Sequence, residues 1–459
     1  MIKNFISIFF VMLCISFNYL YAEEGILAGT STIDITPEPG KEMPGGFNKA
    51  ISKGTHDPLE LNTLVLKNAN TAVAIVSIDS LFIPDDIVAG VRTKISEKIP
   101  LPPQNIIISA SHTHHGGPIV DVFSSERDPE YCSMVENKIV EGIQTAWNNL
   151  TKAKIGFVEG EQEGIAFNRR FYMKDGTVVT HPGWKNPQIV APAGPVDPQV
   201  LAMFITKEDG TLLSAVINYA LHGTVFSGSF YSADYVYHLR DFLRKQWGLS
   251  IPIVFLNGAC GDVTQINNLR EEEPAESGPE WSKRIGETLA CKLYQLFLWT
   301  KYQDTMIIDV ATETIRIAIR NLDEEKYQVK SGLGSAQSEI YQREIQLLRE
   351  MKERMGGVVD VEITAMRIGD LAIVCNPTEL FCRLGLDIKK SSPAKYTMVS
   401  EISNGYTGYC PTPEAFDEGG YEILTARSSF MEPNAGIKIV QTSRKLLAQL
   451  FKDGNNGNN

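Results

Sequence analysis

What most constrains this chain is a series of short, nearly uninterrupted apolar runs, each cut off by polar or turn-forming residues. They fall at 72–78 (AVAIVSI), 105–111 (NIIISAS), 212–219 (LLSAVINY), 251–256 (IPIVFL) and 371–375 (LAIVC). Runs of this length, rich in β-branched residues, suit strands covered on both faces. Between them lie stretches with apolar residues at helical spacing, at 87–98, 131–150, 237–247 and 281–297. Strands alternating with helices imply an α/β sandwich built on a mixed sheet. In such folds ligands gather at loops that follow strand ends, so a site is expected there.

The connections at 37–46, 181–198 and 411–420 are Gly- and Pro-rich and long for simple turns, as loops that line sites often are. Residues 324–355 are highly charged and read as a solvated surface helix or pair. The tail 453–459 (DGNNGNN) reads as disordered. With no internal repeat and no shift of composition, residues 23–452 read as a single catalytic domain.

Residues 1–22 carry one Lys near the start, an apolar stretch and a small residue, Ala22, ahead of Glu23-Glu24. That is the layout of a secretory signal peptide, and the apolar run is short for a membrane span. Export to a periplasmic or extracellular space is the expectation. The formal net charge is −12 and no Lys/Arg-rich run stands out, which argues against nucleic acid as a partner. Apart from Cys14 the cysteines are Cys132, Cys260, Cys291, Cys375, Cys382 and Cys410, and none forms a CxxC pair, so a thiolate zinc knuckle is not expected. Cys260 and Cys375 sit in apolar surroundings, where a free thiol is as good a reading as a disulfide.

Of seven histidines, three lie within residues 112–115, in Ser111-His112-Thr113-His114-His115-Gly116. In an extended chain His112 and His114 project to one face and His115 to the other. Two imidazoles on one face at a strand end can begin a zinc site, or can simply hydrogen-bond within a loop. Three further apolar runs end in polar residues. His222 closes SAVINYALHGT, the segment 256–264 (LNGACGDVT) follows 251–255, and Asn376–Glu379 follows 371–375. Four strand ends thus converge on one kind of chemistry.

These segments resemble the catalytic domain of the neutral/alkaline non-lysosomal ceramidase family, of which the chain looks like a divergent member. The matching segments run in order: 29–37 (GTSTIDITP), 54–57 (GTHD), 109–118, Asn168-Arg169, 218–222, 258–264, 376–379 and 404–422 (NGYTGYCPTPEAFDEGGYE). The resemblance implies one zinc ion per chain, held by His112, His222, Glu379 and Tyr409. It implies that His114 and Arg169 contact the reacting carbonyl, and that Tyr421 is a second active-site tyrosine. It also places Thr264 where the family has Ser. Asp234 and Asp262 are further candidates for orienting ligands, or are turn and cap residues.

What the resemblance implies for function is a zinc-dependent amidase that cleaves an N-acyl bond, ceramide-like lipid above all, by zinc-activated attack of water. A small acyl substrate and transient contact with a membrane surface go with it. Three departures leave other substrates open: HTHHGGP where the family has HTHSGPG, Thr264, and no immunoglobulin-like extension after Phe451. The alternatives are a carbohydrate esterase or deacetylase of the same superfamily, and a non-catalytic zinc-binding scaffold.

Overall fold

A computed structural model describes residues 25–271, 276–328 and 335–452. The expected signal peptide at 1–22 and the tail at 453–459 lie outside these residues. The main sheet has nine strands. Ile253–Asn257 runs parallel to Leu212–Tyr219. Antiparallel neighbours follow in the order Gln199–Lys207, Thr151–Glu161, Leu27–Asp34, Glu60–Lys67 and Ala72–Ile78. Ile106–Ala110 then pairs parallel to Ala72–Ile78, and Tyr302–Gln303 extends Thr151–Glu161 at its side. A second, four-stranded sheet is formed by Ile308–Ala318, Val358–Ile368, Leu371–Cys375 and Tyr396–Ser400, the last pair parallel.

The sheets pack face to face. One core cluster takes Leu64, Ile107, Met203 and Val254 from the main sheet and Met366, Ile373 and Met398 from the second. The opposite faces are equally apolar, because strand side chains alternate and these strands carry hydrophobic residues at both parities. Helices Asp85–Ser96 and Pro129–Asn148 cover one half of the main sheet. Tyr235–Trp247 and Pro279–Phe297 cover the other. Cys382–Ser391 and Ala435–Leu450 cover the second sheet. The layers therefore run helix, sheet, sheet, helix, which is the expected mixed-sheet α/β sandwich.

Polar anchors fix the helix Tyr235–Trp247. Its fully buried Arg240 reaches Asp79 at 2.5 Å and Glu60 at 3.2 Å, and Arg244 binds Glu60 at 2.6 and 2.9 Å. Asp234 caps this helix, and Gly248 ends it in the left-handed region at φ 62°. Among the described residues no helix is long and apolar enough to cross a membrane.

The expected strands at 72–78, 212–219 and 371–375 fall on Ala72–Ile78, Leu212–Tyr219 and Leu371–Cys375. The run at 251–256 begins two residues late, at Ile253, after Pro252, which has no N–H to give a ladder. The charged segment at 324–355 is corrected. It contains the helix Ser335–Arg354, but Tyr341, Glu344 and Leu348 on one face of that helix are buried. Glu344 is bound by Arg427 at 2.9 and 2.7 Å, so a carboxylate sits where the pattern suggested solvent. The six cysteines of the described residues are all unpaired thiols, and only Cys291 is exposed.

Candidate metal centre

The strand Ile106–Ala110 ends before the histidines, and the chain turns sharply at His112, whose φ is 65°. The simple alternation expected of an extended strand therefore does not operate here. A non-glycine residue in the left-handed region costs of order 1–3 kcal/mol and persists only where its surroundings enforce it. They do so here through Gly223, which has room for no side chain: a Cβ there would lie 2.2 Å from the His112 carbonyl oxygen. His114 N–H also donates to the Gly223 carbonyl at 3.1 Å. The two histidine-bearing loops are thus clamped backbone to backbone.

The clamp brings His112, His114 and His222 together, with one ring nitrogen of each within 4.8 Å of the others. His115 points away, its ring against Phe226 at 4.9 Å, as expected. His112 Nδ1 lies 2.8 Å from the Leu81 carbonyl, so Nδ1–H donates there and Nε2 keeps its lone pair. His112 Nε2 and His222 Nε2 face each other at 3.0 Å. Glu379 Oε2, buried and without a hydrogen-bond partner among the described residues, lies 3.4 Å and 3.8 Å from those two nitrogens. Buried acceptors aimed at one point are satisfied by a cation, so the donor set fits a metal.

Glu379 and Tyr409 are brought side by side by parallel pairing of Glu379–Leu380 with Tyr409–Cys410. Tyr421 donates to the Tyr409 hydroxyl at 3.0 Å. Arg169 lies with its guanidinium 5.5 Å and 5.6 Å from the Tyr409 and Tyr421 ring centres. It donates through Nε to Glu422 and through Nη2 to the Gly261 carbonyl, each at 2.8 Å. His114 donates its Nδ1–H to the Gly45 carbonyl at 2.9 Å. That tautomer leaves a buried, unpartnered lone pair on Nε2. His114 therefore faces the site as an acceptor, whereas Arg169 carries the donor groups beside it.

The remaining candidates fall outside this ring of contacts. Thr264 is buried and donates to Gln265 Oε1 at 3.1 Å. Asp234 accepts from the amides of Val225, Phe226 and Tyr235, and Asp262 accepts from Asn168 and the Cys382 amide. Both carboxylates are turn and cap residues, the plainer of the two readings.

Electrostatics follow from burial. Desolvation, together with the neighbouring His112, pushes His114 down to about 3. The same two causes hold His222 well below the ordinary histidine range. Both are neutral imidazoles, the form that ligates metal. Burial alone would raise the Glu379 carboxyl, but His112, Tyr406 and Tyr409 outweigh it and hold it below the usual range. Burial and the Glu379 charge push the Tyr409 phenol well up, so its ionisation requires a cation beside it.

Several contributing residues were not read from the sequence. Tyr406 donates to Glu379 Oε1 at 2.6 Å and stacks on Phe82 at 3.7 Å. Glu422 holds Arg169. Glu401 accepts from the amides of Cys260 and Leu380 at 3.0 and 2.9 Å and from the Cys260 thiol at 2.8 Å. It thereby ties the loop beside His222 to the residue after Glu379. Its position directly after the run 396–400, another carboxylate at a strand end, was the available signal.

Among solved structures, a neutral ceramidase from Pseudomonas aeruginosa superposes with a TM-score of 0.72, covering 94% of this chain and 75% of that one at 17% identity. A ceramidase complexed with C2 superposes with a TM-score of 0.75, covering 94% of this chain and 76% of that one at 16% identity. The fold is that of the neutral ceramidases. No family model matches the sequence, and no curated protein does. Within the neutral-ceramidase fold, a buried histidine group able to bind a metal sits at the strand ends, where the sequence placed it.

Proposed function

We propose that this chain is an exported zinc-dependent hydrolase of N-acyl bonds, with ceramide-like lipids as its substrate class. Residues 23–452 form one catalytic unit in this reading, released after removal of 1–22. The observation that carries it is the convergence of two facing imidazole nitrogens and an unpartnered buried carboxylate oxygen in a neutral-ceramidase fold. His112, His222, Glu379 and Tyr409 would hold the zinc, and His114 would be left free. Bound zinc supplies a Lewis acid that polarises a carbonyl and lowers the pKa of water towards about 7.

The chain's own residues do the rest. Arg169, locked by Glu422 and Gly261, presents positive charge beside Tyr409, where an oxyanion can be stabilised at no reorganisation cost. His114 Nε2, a neutral acceptor, orients the reacting water by accepting its O–H. Tyr421 orients the Tyr409 hydroxyl. Phe47 packs 6.2 Å from Tyr421 and 5.9 Å from Tyr341, an aromatic wall beside the site suited to an acyl chain. Thr264, through Gln265 and Thr224, acts on the loop after His222.

The test is a screen of the metal-loaded protein against a matched N-acyl sphingoid lipid, N-acetyl sugar and O-acetyl sugar. Turnover of the lipid, lost in His112→Ala, is expected. Turnover of acetylated sugars alone would move the assignment to a carbohydrate esterase. Zinc binding without turnover, even in Thr264→Ser, would leave a scaffold.

A further inference from the structure

A second group of metal-binding side chains lies outside the centre described above. His56 and Asp57 sit in the loop that leads into the strand Glu60–Lys67, and His238 belongs to the first turns of the helix Tyr235–Trp247. One donor atom from each of the three lies within 4.8 Å of the others. The group mixes two imidazoles with a carboxylate, a donor set that suits zinc and its neighbours rather than calcium or magnesium.

The geometry is prepared from both sides. Asp57 is buried, and its carboxylate is fixed by the Ser232 hydroxyl at 2.6 Å and the Ala233 amide at 2.7 Å. It accepts from His56 Nδ1 at 2.8 Å. On binding, a cation would replace that Nδ1 proton and be shared by His56 Nδ1 and the Asp57 carboxylate, which already lie side by side. His56 is also held by Phe226, whose ring centre lies 4.8 Å away. From the other side, His238 Nε2 is sealed from solvent and has no hydrogen-bond partner among the described residues. Burial keeps His238 below the ordinary histidine range and therefore neutral, while Asp57, Asp241 and Glu287 all favour positive charge beside it. The two ring centres are 6.2 Å apart. Imidazoles that share a cation through bonds of about 2.0–2.1 Å place each ring centre roughly 3 Å from it, so the rings must draw together on binding, a shift open to the part-exposed His56.

We propose that His56, Asp57 and His238 form a second site for a divalent transition metal of the zinc class, separate from the catalytic centre. Bound there, the metal staples the loop at 52–57 to the helix Tyr235–Trp247. The same region holds the loop at 226–232, since Tyr231 N–H bonds to the Gly54 carbonyl and Ser232 N–H to the His115 carbonyl. The site is structural: its side chains are not in the ring of contacts around His112 and His222, and His56 is a third exposed on its side chain. Its filling should raise thermal stability without being required for turnover.

Zinc titration of the chelator-stripped full chain tests this. Two equivalents are expected for the wild type. One is expected for His238→Ala, with hydrolysis unchanged, and one for His222→Ala, with hydrolysis lost. His56→Gln, on a half-open loop, serves as the second variant should His238→Ala fold poorly, and it too should bind one equivalent. In the His222→Ala chain, added zinc should still raise Tm, and this rise should vanish in His222→Ala/His56→Gln. A single equivalent in the wild type, or two in both His238→Ala and His56→Gln, overturns the second site. A count unaltered by His222→Ala overturns the catalytic one instead, so the two failures are distinguishable.

Discussion

The molecule holds two histidine groups of similar composition and opposite character. In the group around His112 and His222, both of those rings, Glu379 and Tyr409 are buried, the donors come from separate strand-end loops, and the carboxylate oxygen nearest the rings has no other partner. In the group around His56 and His238, the carboxylate is already tied down by Ser232 and Ala233 and lies against His56, and one imidazole reaches solvent. The difference teaches how ligand type and ligand function separate. Unsatisfied acceptors in a desolvated site create a strong field for a cation and for charge developing on a substrate. A carboxylate tied down by hydrogen bonds can anchor a structural cation but leaves little to act on a substrate.

The comparison breaks most simply at His222. We expect His222→Ala to reduce hydrolysis to background, whereas His56→Gln leaves it unchanged; steady-state assays on metal-loaded proteins check both. Next comes Arg169. Its replacement by Ala removes a positioned donor, and we expect kcat to fall by about 10²–10³-fold with catalytic zinc still bound. Equal loss of zinc would make Arg169 a structural residue only. Tyr406→Phe sharpens the role of the surroundings. It removes the donor to Glu379 Oε1 and should weaken zinc binding at the catalytic centre about 10–100-fold, measured by competition with a chromogenic chelator. The second group should be untouched.

A pH effect follows from histidines buried in neutral form. His115 lies at about 4, pushed down by desolvation. Unfolded histidines titrate near 6.5. Between those values the unfolded chain binds protons that the folded chain does not, so stability rises with pH there and is lost on acidification. We expect the unfolding free energy, measured by denaturant titration, to fall as pH drops from about 6.5 to about 4, by up to about 1.4 kcal/mol per pH unit for each such group. His115→Gln should flatten the slope. The smallest effect is expected for Thr264→Ser. Its hydroxyl serves Gln265, so kcat should change by no more than about threefold, well under 1 kcal/mol.

Much of the frame was legible in the linear chain. Strands such as Ala72–Ile78 and Leu371–Cys375 announce themselves because both faces are buried and nearly every residue is apolar. The long strands Ile308–Ala318 and Val358–Ile368 do not, because one face meets water: Thr314 and Arg316 are exposed on the first. The helix Ser335–Arg354 reads from the sequence as solvated throughout, its buried face hidden for a related reason. Its buried face includes Glu344, and a buried carboxylate paired with a distant Arg427 is indistinguishable in sequence from a solvated one.

The chain by itself determined the α/β layering and the concentration of histidines and carboxylates at strand ends. Those depend on local periodicity and on residue chemistry, both carried by neighbouring positions. Only the tertiary structure decided that His112 leaves the strand at positive φ, and that Gly45 fixes the tautomer of His114. Tertiary structure alone likewise revealed that Tyr406, Glu401 and Glu422 support the site, and that His56 meets His238. Each of these rests on contacts between residues far apart in the chain, where side-chain direction is set by packing, and periodicity carries no record of it.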